Sequence, residues 1–242
     1  MVHQFAPIAR EPAYLKVYKA IETDIREGRL APGAFLPTET ELAGQFDVHR
    51  STVREGIRLL EQEGLIRRGA AKRLIVSRPQ TSELAATASR GLALSGVTFL
   101  EAWQTLALVQ PEAARLAAEQ VDAVALDRFE RSLAAFRAAP ATDDEATVRA
   151  AGRFFDDIAA CVENQVLAMM LQSLNLLVGP SLRRVLPAAP NARRRILRAQ
   201  QEIIRAFADG DGARAADWMR KHVEDLKRGY EVAGVDLTSD VA

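Results

Sequence analysis

Apolar residues recur at intervals of three and four along most of this chain, and that spacing predicts a mainly helical protein. In residues 12–28 the apolar positions Val17, Ile21 and Ile25 fall on one face, and Gly28 provides a stop signal. The first element is therefore predicted to be an amphipathic helix with one buried side.

Two further helices with a tight turn between them are predicted next. Thr38 stands three residues before Glu41, which is the spacing of a capping box at the start of a helix. The turn "DVH" follows, and the third helix is predicted to begin near His49 or Arg50 and to close at Gly64. Its predicted buried side consists of Val53, Ile57 and Leu60.

A short hairpin is predicted after the third helix. The segment "LIRRGAAKRLIVS" places two short apolar runs on either side of Gly69, with basic residues between them. An earlier strand-like connection, "RLAPGAFLP", carries a Pro-Gly turn. Together these elements predict a winged helix-turn-helix domain over residues 10–78, preceded by a flexible tail of residues 1–9.

Residues 79–242 are predicted to form a separate all-helical bundle, because no sustained alternation of apolar and polar residues follows the hairpin. The segment "SRPQTS" is the expected linker, with Ser82 capping the first helix of the bundle. Six or seven helices are expected, and Pro111 is expected to interrupt one of them. The predicted fold class is thus mainly α, with an N-terminal winged helix-turn-helix and a C-terminal all-α helical bundle.

Charge is distributed unevenly, although the formal net charge of the chain is zero. Residues 50–78 contain eight basic and three acidic residues, which is a local net charge of +5. A basic helix face followed by a basic hairpin favours a nucleic-acid surface, and a solvated helix face beside a turn is the alternative.

Composition and motifs limit the cellular compartment and the functional class that are expected for this protein. One cysteine, Cys161, excludes an intramolecular disulfide and favours a reducing compartment. The sequence shows no apolar run of about 18 residues and no signal-peptide core, which predicts a cytoplasmic protein without membrane contact. An enzyme is not expected, because the sequence contains no phosphate-binding glycine loop, nucleophile elbow or metal-ligand cluster.

Residues 12–78 resemble the winged-helix head of GntR-type bacterial transcription regulators. The resemblance rests on "IREGRLAPGAFLPTETELA" and "DVHRSTVREGIRLLEQEGLI". It implies binding to a double-stranded DNA operator, with the start of the third helix in the major groove. The DNA-contact positions that it implies are Thr38, His49, Arg50, Ser51, Thr52, Arg54, Arg67 and Gly69.

The residue types at these positions suit DNA, although Thr40, His49 and Gly56 depart from the family pattern, and the wing has "GAA" where a second glycine is common. Arginine pairs with guanine edges and phosphates, and short hydroxyl side chains reach phosphates without holding the helix away. Thr40 stands where an arginine is usual, so one DNA contact is expected to be absent, and His49 stands where Ser or Thr is usual. Gly56 replaces a usual alanine, which is expected to cost the third helix up to about 1 kcal/mol.

The C-terminal part resembles the helical, FCD-like effector domain of the FadR-type branch of the same family. "QPEAARLAAE", "FFDDIAACVENQVL" and "IIRAFADGDGARAADWMRKHV" carry this resemblance. It implies a divalent metal held by one Asp and three His. Those four positions are here Ala151, Phe155, Gln200 and His222. Only His222 keeps a metal-binding side chain, so no metal cofactor is expected, and a two-ligand site of Asp156 or Asp157 with His222 is the weaker alternative.

The same four positions define the expected effector pocket. Alanine and phenylalanine in place of metal ligands favour an apolar or amphipathic effector, such as an acyl chain, an aromatic or a terpenoid-like molecule. The alternative is a filled cavity in which Phe155 simply packs, with His222 as a satisfied core histidine. The arginines of residues 183–184 and 193–198 are expected to form a solvated face, with an anionic head group or the DNA backbone as alternative partners.

These patterns predict an effector-responsive, homodimeric transcription regulator, a repressor that a small molecule releases from an inverted-repeat operator. One winged helix has a small footprint on DNA, so two-fold dimers on palindromic half-sites are favoured. An activator of the same fold is one alternative. A helical interaction module without specific DNA binding is another, and Arg50 and Arg54 argue against it.

Overall fold

The computed structural model describes residues 11–70, 73–140, 144–189 and 191–241. The chain divides into two compact units, Met1–Gln80 and Thr81–Ala242. The expected flexible tail of residues 1–9 lies outside the described residues.

Three helices form the body of the N-terminal unit. They are α1 (Ala13–Arg26), α2 (Glu39–Phe46) and α3 (Arg50–Gln62). Gly28 adopts a positive φ of 77° after α1, as its role as a stop signal predicts. Asp47 takes the left-handed conformation at the end of α2, and the chain then turns into α3.

A small antiparallel sheet completes the N-terminal unit. Strands β1 (Ile66–Arg68) and β2 (Leu74–Val76) pair directly, and Phe35 pairs antiparallel with Ile75 as part of a third extended segment. Gly33 has a φ of 89° in the Pro-Gly turn that precedes this segment. The predicted hairpin and the predicted strand-like connection are therefore both confirmed.

The core of this unit contains apolar side chains from all three helices and both strands. Val53, Ile57 and Leu60 of α3 are fully buried, as the helical spacing predicts. α1 packs closely against α3 at Gly56, where an added Cβ would lie 2.9 Å from the Tyr14 carbonyl oxygen. Glycine at this position therefore permits a close approach of two backbones, which the sequence pattern did not reveal.

The described residues of the C-terminal unit contain eight α-helices. They are α4 (Thr81–Leu94), α5 (Phe99–Ala118), α6 (Ala123–Ala138), α7 (Asp144–Ala160), α8 (Gln165–Val178), α9 (Leu182–Ala188), α10 (Ala192–Ala208) and α11 (Gly212–Val232). The sequence predicts six or seven, because it does not separate α8 from α9. A 3-10 turn at Gly179–Ser181, with Pro180 inside it, makes that separation. The predicted mainly α fold class is confirmed.

Two local predictions for the bundle are wrong. α5 runs through Pro111 without interruption. Pro111 is buried, and α5 packs against α8 and α11, so packing of the helix outweighs one missing backbone hydrogen bond. α4 begins at Thr81, so Ser82 lies inside the helix rather than at its cap.

The bundle core is held together by large aromatic side chains. Phe129 of α6 packs against Phe154 of α7 and Phe207 of α10, with ring centroids 5.4 and 4.9 Å apart. Near the far end of α11 the Tyr230 hydroxyl lies 2.5 Å from Ser181 Oγ, so the buried phenol has a polar partner.

One stretch, Gln165–Ala188, is long and apolar enough to span a membrane by length and composition alone. No such stretch is expected from the pattern of apolar residues, and on these two criteria that expectation is wrong. Leu171, Leu174 and Leu177 of α8 are buried in the bundle core. Because the core helix of a soluble protein passes the same test, this stretch is weak evidence for a membrane span.

Candidate nucleic-acid interface and bundle cavity

The start of α2 contains the first candidate DNA-contact residue. Thr38 Oγ1 accepts a hydrogen bond from Glu41 N at 3.2 Å, and Thr38 N donates to Glu41 Oε2 at 2.7 Å. The predicted capping box is thereby confirmed. Bonds from the Thr38 backbone and side chain hold the pKa of the Glu41 carboxyl below its usual range. Thr38 is exposed to solvent beside this cap.

The N-terminal half of α3 is exposed on the side opposite its buried residues. Arg50, Ser51 and Arg54 are exposed, and Thr52 is half-buried. His49 occupies the N-cap position without a side-chain capping hydrogen bond. The positive end of the helix dipole therefore lies beside two exposed arginines, and that arrangement attracts phosphate.

Glu39, in the first turn of α2, connects α3 to the hairpin. Its carboxylate accepts hydrogen bonds from Arg54 Nε of α3 and from Arg68 Nη2 of β1, each at 3.2 Å. Arg68 also pairs with Glu61 at 2.8 Å. Burial raises the pKa of the Glu39 carboxyl, but the bonds from Arg68 and Arg54 outweigh burial and lower it. Arg54 is thus oriented by a carboxylate that sequence reasoning missed.

An open cleft of about 930 Å³ lies between the start of α2, the start of α3 and the sheet. Thr38 and Arg50 line this cleft together with Arg68 and Arg73 of the hairpin. Arg73 also lies over the Phe35 ring, 3.9 Å from its centroid. Within the part of the chain that the structure describes, Arg50 has no ion-pair or hydrogen-bond partner, so its guanidinium is available to a ligand.

The hairpin contains the two remaining candidates. Arg67 is exposed in β1. Gly69 N donates to Arg73 O at 2.8 Å, and an added Cβ at Gly69 would collide with the Ile75 side chain. Residues 71–72, at the predicted hairpin tip, lie outside the described residues.

A cavity of about 80 Å³ lies inside the helical bundle. Its apolar wall includes Leu106, Leu174, Val178, Leu182, Val185 and Leu226. Ala151, Phe155 and His222 line the cavity together, so three of the four predicted effector-pocket residues share one wall. Gln200 is fully buried and is not among the lining residues.

Phe155 and His222 lie face to face at this cavity. Their rings are stacked with centroids 5.3 Å apart and planes inclined by 17°. Burial lowers the pKa of His222 to about 4, so the imidazole is neutral near pH 7. His222 Nδ1 has no hydrogen-bond partner among the described residues, so the surrounding protein does not satisfy this atom.

The residues at the family's metal positions do not fit a divalent ion. At the cavity they offer one neutral imidazole, a methyl group and an aromatic ring, whereas a transition metal needs several donors held in geometry. Asp156 and Asp157 are not among the lining residues, and Asp157 instead accepts a hydrogen bond from Ser132 Oγ at 2.5 Å. Residues 11–70, 73–140, 144–189 and 191–241 contain no group of three or more His, Cys, Asp or Glu side chains placed to hold a metal.

The cavity wall contains four further polar residues, of which the sequence pointed only to Arg195, through the alternative of an anionic head group. Gln110 Nε2 donates to Asn175 Oδ1 at 3.2 Å, and Arg195 Nε lies 3.3 Å from Asp225 Oδ1. All four line the cavity, from α5, α8, α10 and α11. A glutamine on the predicted buried face of α5 is the signal that would have pointed to Gln110, because buried amides need partners.

The expected solvated arginine face near α9 and α10 includes the exposed Arg183, Arg184, Arg194 and Arg198, but Arg193 and Arg195 depart from it. Arg183 is exposed and pairs with Glu145 at 2.9 Å. Arg193 donates to the Phe136 carbonyl oxygen at 2.8 Å, and Arg195 lines the cavity. Successive residues of a helix point about 100° apart, so a run of arginines reaches several different surroundings.

Both units match known protein families. Residues 13–76 match the family described as "Bacterial regulatory proteins, gntR family", and residues 101–225 match the "FCD domain". The HTH-type transcriptional regulator LutR of Bacillus subtilis is 26% identical over 213 residues, which cover 85% of this chain and 97% of LutR. The HTH-type transcriptional repressor NanR of Klebsiella aerogenes is 36% identical over 94 residues, which cover 37% of this chain and 36% of NanR.

A solved structure shows the same fold. "Streptococcus agalactiae GntR" aligns with a TM-score of 0.58 at 22% sequence identity, covering 89% of this chain and 99% of that chain. The matching families and relatives regulate transcription and are not enzymes. This chain belongs to the GntR family of bacterial transcription regulators, in the group whose C-terminal unit is an FCD domain.

Proposed function

We propose that this chain is a cytoplasmic, homodimeric repressor that binds an inverted-repeat operator and is released by a small apolar or amphipathic effector. The observation that carries the proposal is the exposed start of α3, where Arg50 is unpaired within the described structure and Arg54 is held by Glu39. Side chains at the start of such a helix reach base edges in the major groove.

The DNA contacts divide into base readers and backbone binders. Arg50 and Arg54 are assigned to guanine edges or to phosphates at each half-site. The remaining contacts are assigned to the phosphate backbone through Thr38, His49, Ser51, Thr52, Arg67 and the backbone at Gly69. A basic hairpin adds attraction that does not depend on sequence and weakens with salt.

A dimer supports specificity that one head alone does not provide. Two heads related by a two-fold axis double the number of base contacts and impose a palindromic operator. Light scattering at micromolar concentration tests this directly, and a monomer that binds a single half-site tightly would contradict it.

The effector is assigned to the bundle cavity at Ala151, Phe155 and His222. Its wall is largely leucine and valine, which supports an apolar or amphipathic ligand. The donor set at these positions supports a site without a metal cofactor. Repression is proposed over activation because NanR, which is 36% identical over 94 residues, is named a repressor.

Selection of operators from a random-sequence duplex library, followed by anisotropy titration, tests the DNA-binding function. Arg50→Ala is expected to weaken operator binding by about 1–3 kcal/mol, or roughly 5- to 150-fold. Arg205→Ala is the matched control, because it removes the same charge from an exposed site in the other unit. Unchanged operator affinity in both Arg50→Ala and Arg54→Ala, with the fold intact, would remove α3 as the reading helix.

Transcription in vitro from a promoter with the selected operator separates the repressor from its alternatives. A repressor lowers transcript yield, whereas an activator of the same fold raises it. Failure to select any sequence would favour an interaction module without specific DNA binding.

A further inference from the structure

The wall of the bundle cavity carries no net charge near pH 7. Burial keeps the His222 imidazole neutral. Arg195 and Asp225 both line the cavity and pair with each other at 3.3 Å, so their opposite charges cancel. A charged ligand would therefore lose its hydration without gaining an unpaired opposite charge.

Four buried polar atoms of this wall lack a hydrogen-bond partner within the described residues. They are Gln110 Oε1, His222 Nδ1, Asn175 Nδ2 and Arg195 Nε, and the last of these lies in the ion pair with Asp225. Gln110 and His222 line the cavity and are only 2% and 8% exposed. Gln110 Nε2 donates to Asn175 Oδ1, which leaves Gln110 Oε1 as an unpaired acceptor. His222 Nδ1 is unpaired as well. Because unpaired buried polar atoms are costly, a ligand group that satisfies them is favoured.

We propose that the cavity binds an uncharged small molecule with a hydroxyl group on an apolar body, such as an alcohol or a phenol. The hydroxyl donates to Gln110 Oε1, and its oxygen accepts from His222 in the tautomer with the proton on Nδ1. The apolar body packs against the leucine and valine side chains of the wall. This inference rests on the proposed effector function, because it names the chemical class of the ligand for the same cavity.

Phe155 sets the size of the ligand. The cavity volume of about 80 Å³ is near half of the roughly 150 Å³ that accommodates benzene in an engineered apolar cavity. A six-membered ring therefore requires Phe155, which is only half-buried, to move away from His222. Phe155→Ala enlarges the cavity. A ligand that binds this variant but not the unchanged chain is excluded by its size, whereas a ligand that binds neither is excluded by its chemistry.

Titrations of the full-length chain and of Phe155→Ala with phenol, benzene and benzoate test the proposal. Phenol is expected to bind at least about tenfold more tightly than benzene, the effect of one or two newly satisfied hydrogen bonds, and benzoate more weakly than phenol. The nitrogen-15 resonance of His222 Nδ1 is expected to shift with phenol and not with benzene.

Gln110→Leu should bring phenol binding down to the level of benzene binding. Gln104→Leu is the matched control, because it makes the same change on the exposed side of α5 and should preserve the difference. Two results would overturn the proposal. Benzoate binding more tightly than phenol would show that Arg195 recognises an acid. Equal binding of phenol and benzene, or no binding to either protein, would show that no ligand hydroxyl satisfies Gln110 Oε1 and His222 Nδ1.

Operator binding is measured on the same samples, so that a failure of the ligand class can be distinguished from a failure of the effector role. Phenol that binds in the cavity without releasing DNA would support the ligand class and refute the effector role. Loss of the ligand preference with intact operator binding would refute the ligand class alone.

Discussion

Glu39→Gln removes the carboxylate that holds Arg54 of α3 and Arg68 of β1, with almost no change in side-chain volume. Arg68 then keeps its pair with Glu61, and Arg54 loses the group that orients it. We expect the variant to bind DNA of any sequence more tightly and to distinguish the operator less well. The first effect follows from charge and the second from lost orientation.

The magnitudes follow from exposure and from the number of contacts. The Arg54 side chain is 63% exposed and that of Arg68 is 40% exposed, so each pair with Glu39 is assigned a near-surface value of about 0.2–1 kcal/mol. Loss of both pairs lowers the stability of the N-terminal unit by about 1 kcal/mol. An arginine released to a phosphate steepens the slope of log K against log salt by about 0.9. Lost orientation of Arg54 costs about 1 kcal/mol of operator preference, or roughly fivefold.

Anisotropy titrations with operator and random-sequence duplexes over a range of salt concentrations measure both effects. Glu55→Gln is the matched control, because it removes the same charge from α3 but leaves both pairs of Glu39 intact. Equal changes of slope and preference in the two variants, or no change in Glu39→Gln, would refute the reasoning.

Three further predictions concern packing, protonation and metal. Gly56→Ala is expected to lower the free energy of unfolding by up to about 2 kcal/mol. The clash of the new Cβ with the Tyr14 carbonyl costs about 1–3 kcal/mol, and the higher helix propensity of alanine offsets at most about 1 kcal/mol of this. Gly44→Ala, with open space at its Cβ, is expected to stabilise, and hydrogen exchange of the helix peptides measures both. Because the pKa of His222 is lowered to about 4 in the folded chain, the unfolded chain takes up a proton below about pH 6.5 before the folded chain does. The free energy of unfolding therefore decreases as the pH is lowered below 6.5, by about 2 kcal/mol at pH 5. The thermal midpoint of His222→Asn between pH 8 and pH 5 should lack this loss, and an identical pH dependence would contradict the assignment. Elemental analysis of tag-free protein is expected to find no stoichiometric metal, and one transition metal per chain beside His222 would overturn the metal-free cavity.

Features whose signal is local were determined by the sequence alone. The capping box of Thr38 and Glu41, the stop at Gly28 and the buried side of α3 each depend on residues within a few turns of one another, and the structure has all of them where the spacing predicts. Hydrogen bonds at helix ends and the periodicity of a buried face depend on residues that are close together in the sequence. The contiguous motifs of the head and the bundle pointed to the family for the same reason.

Features that join distant segments were decided only by the tertiary structure. Glu39 meets Arg68 across 29 residues, and Gly56 admits the backbone of α1. Gln200 is buried away from the cavity that His222 lines. Each outcome depends on where one element crosses another. The position at which two elements cross is set by the sum of many weak packing contacts along both surfaces, so no stretch of consecutive residues determines it.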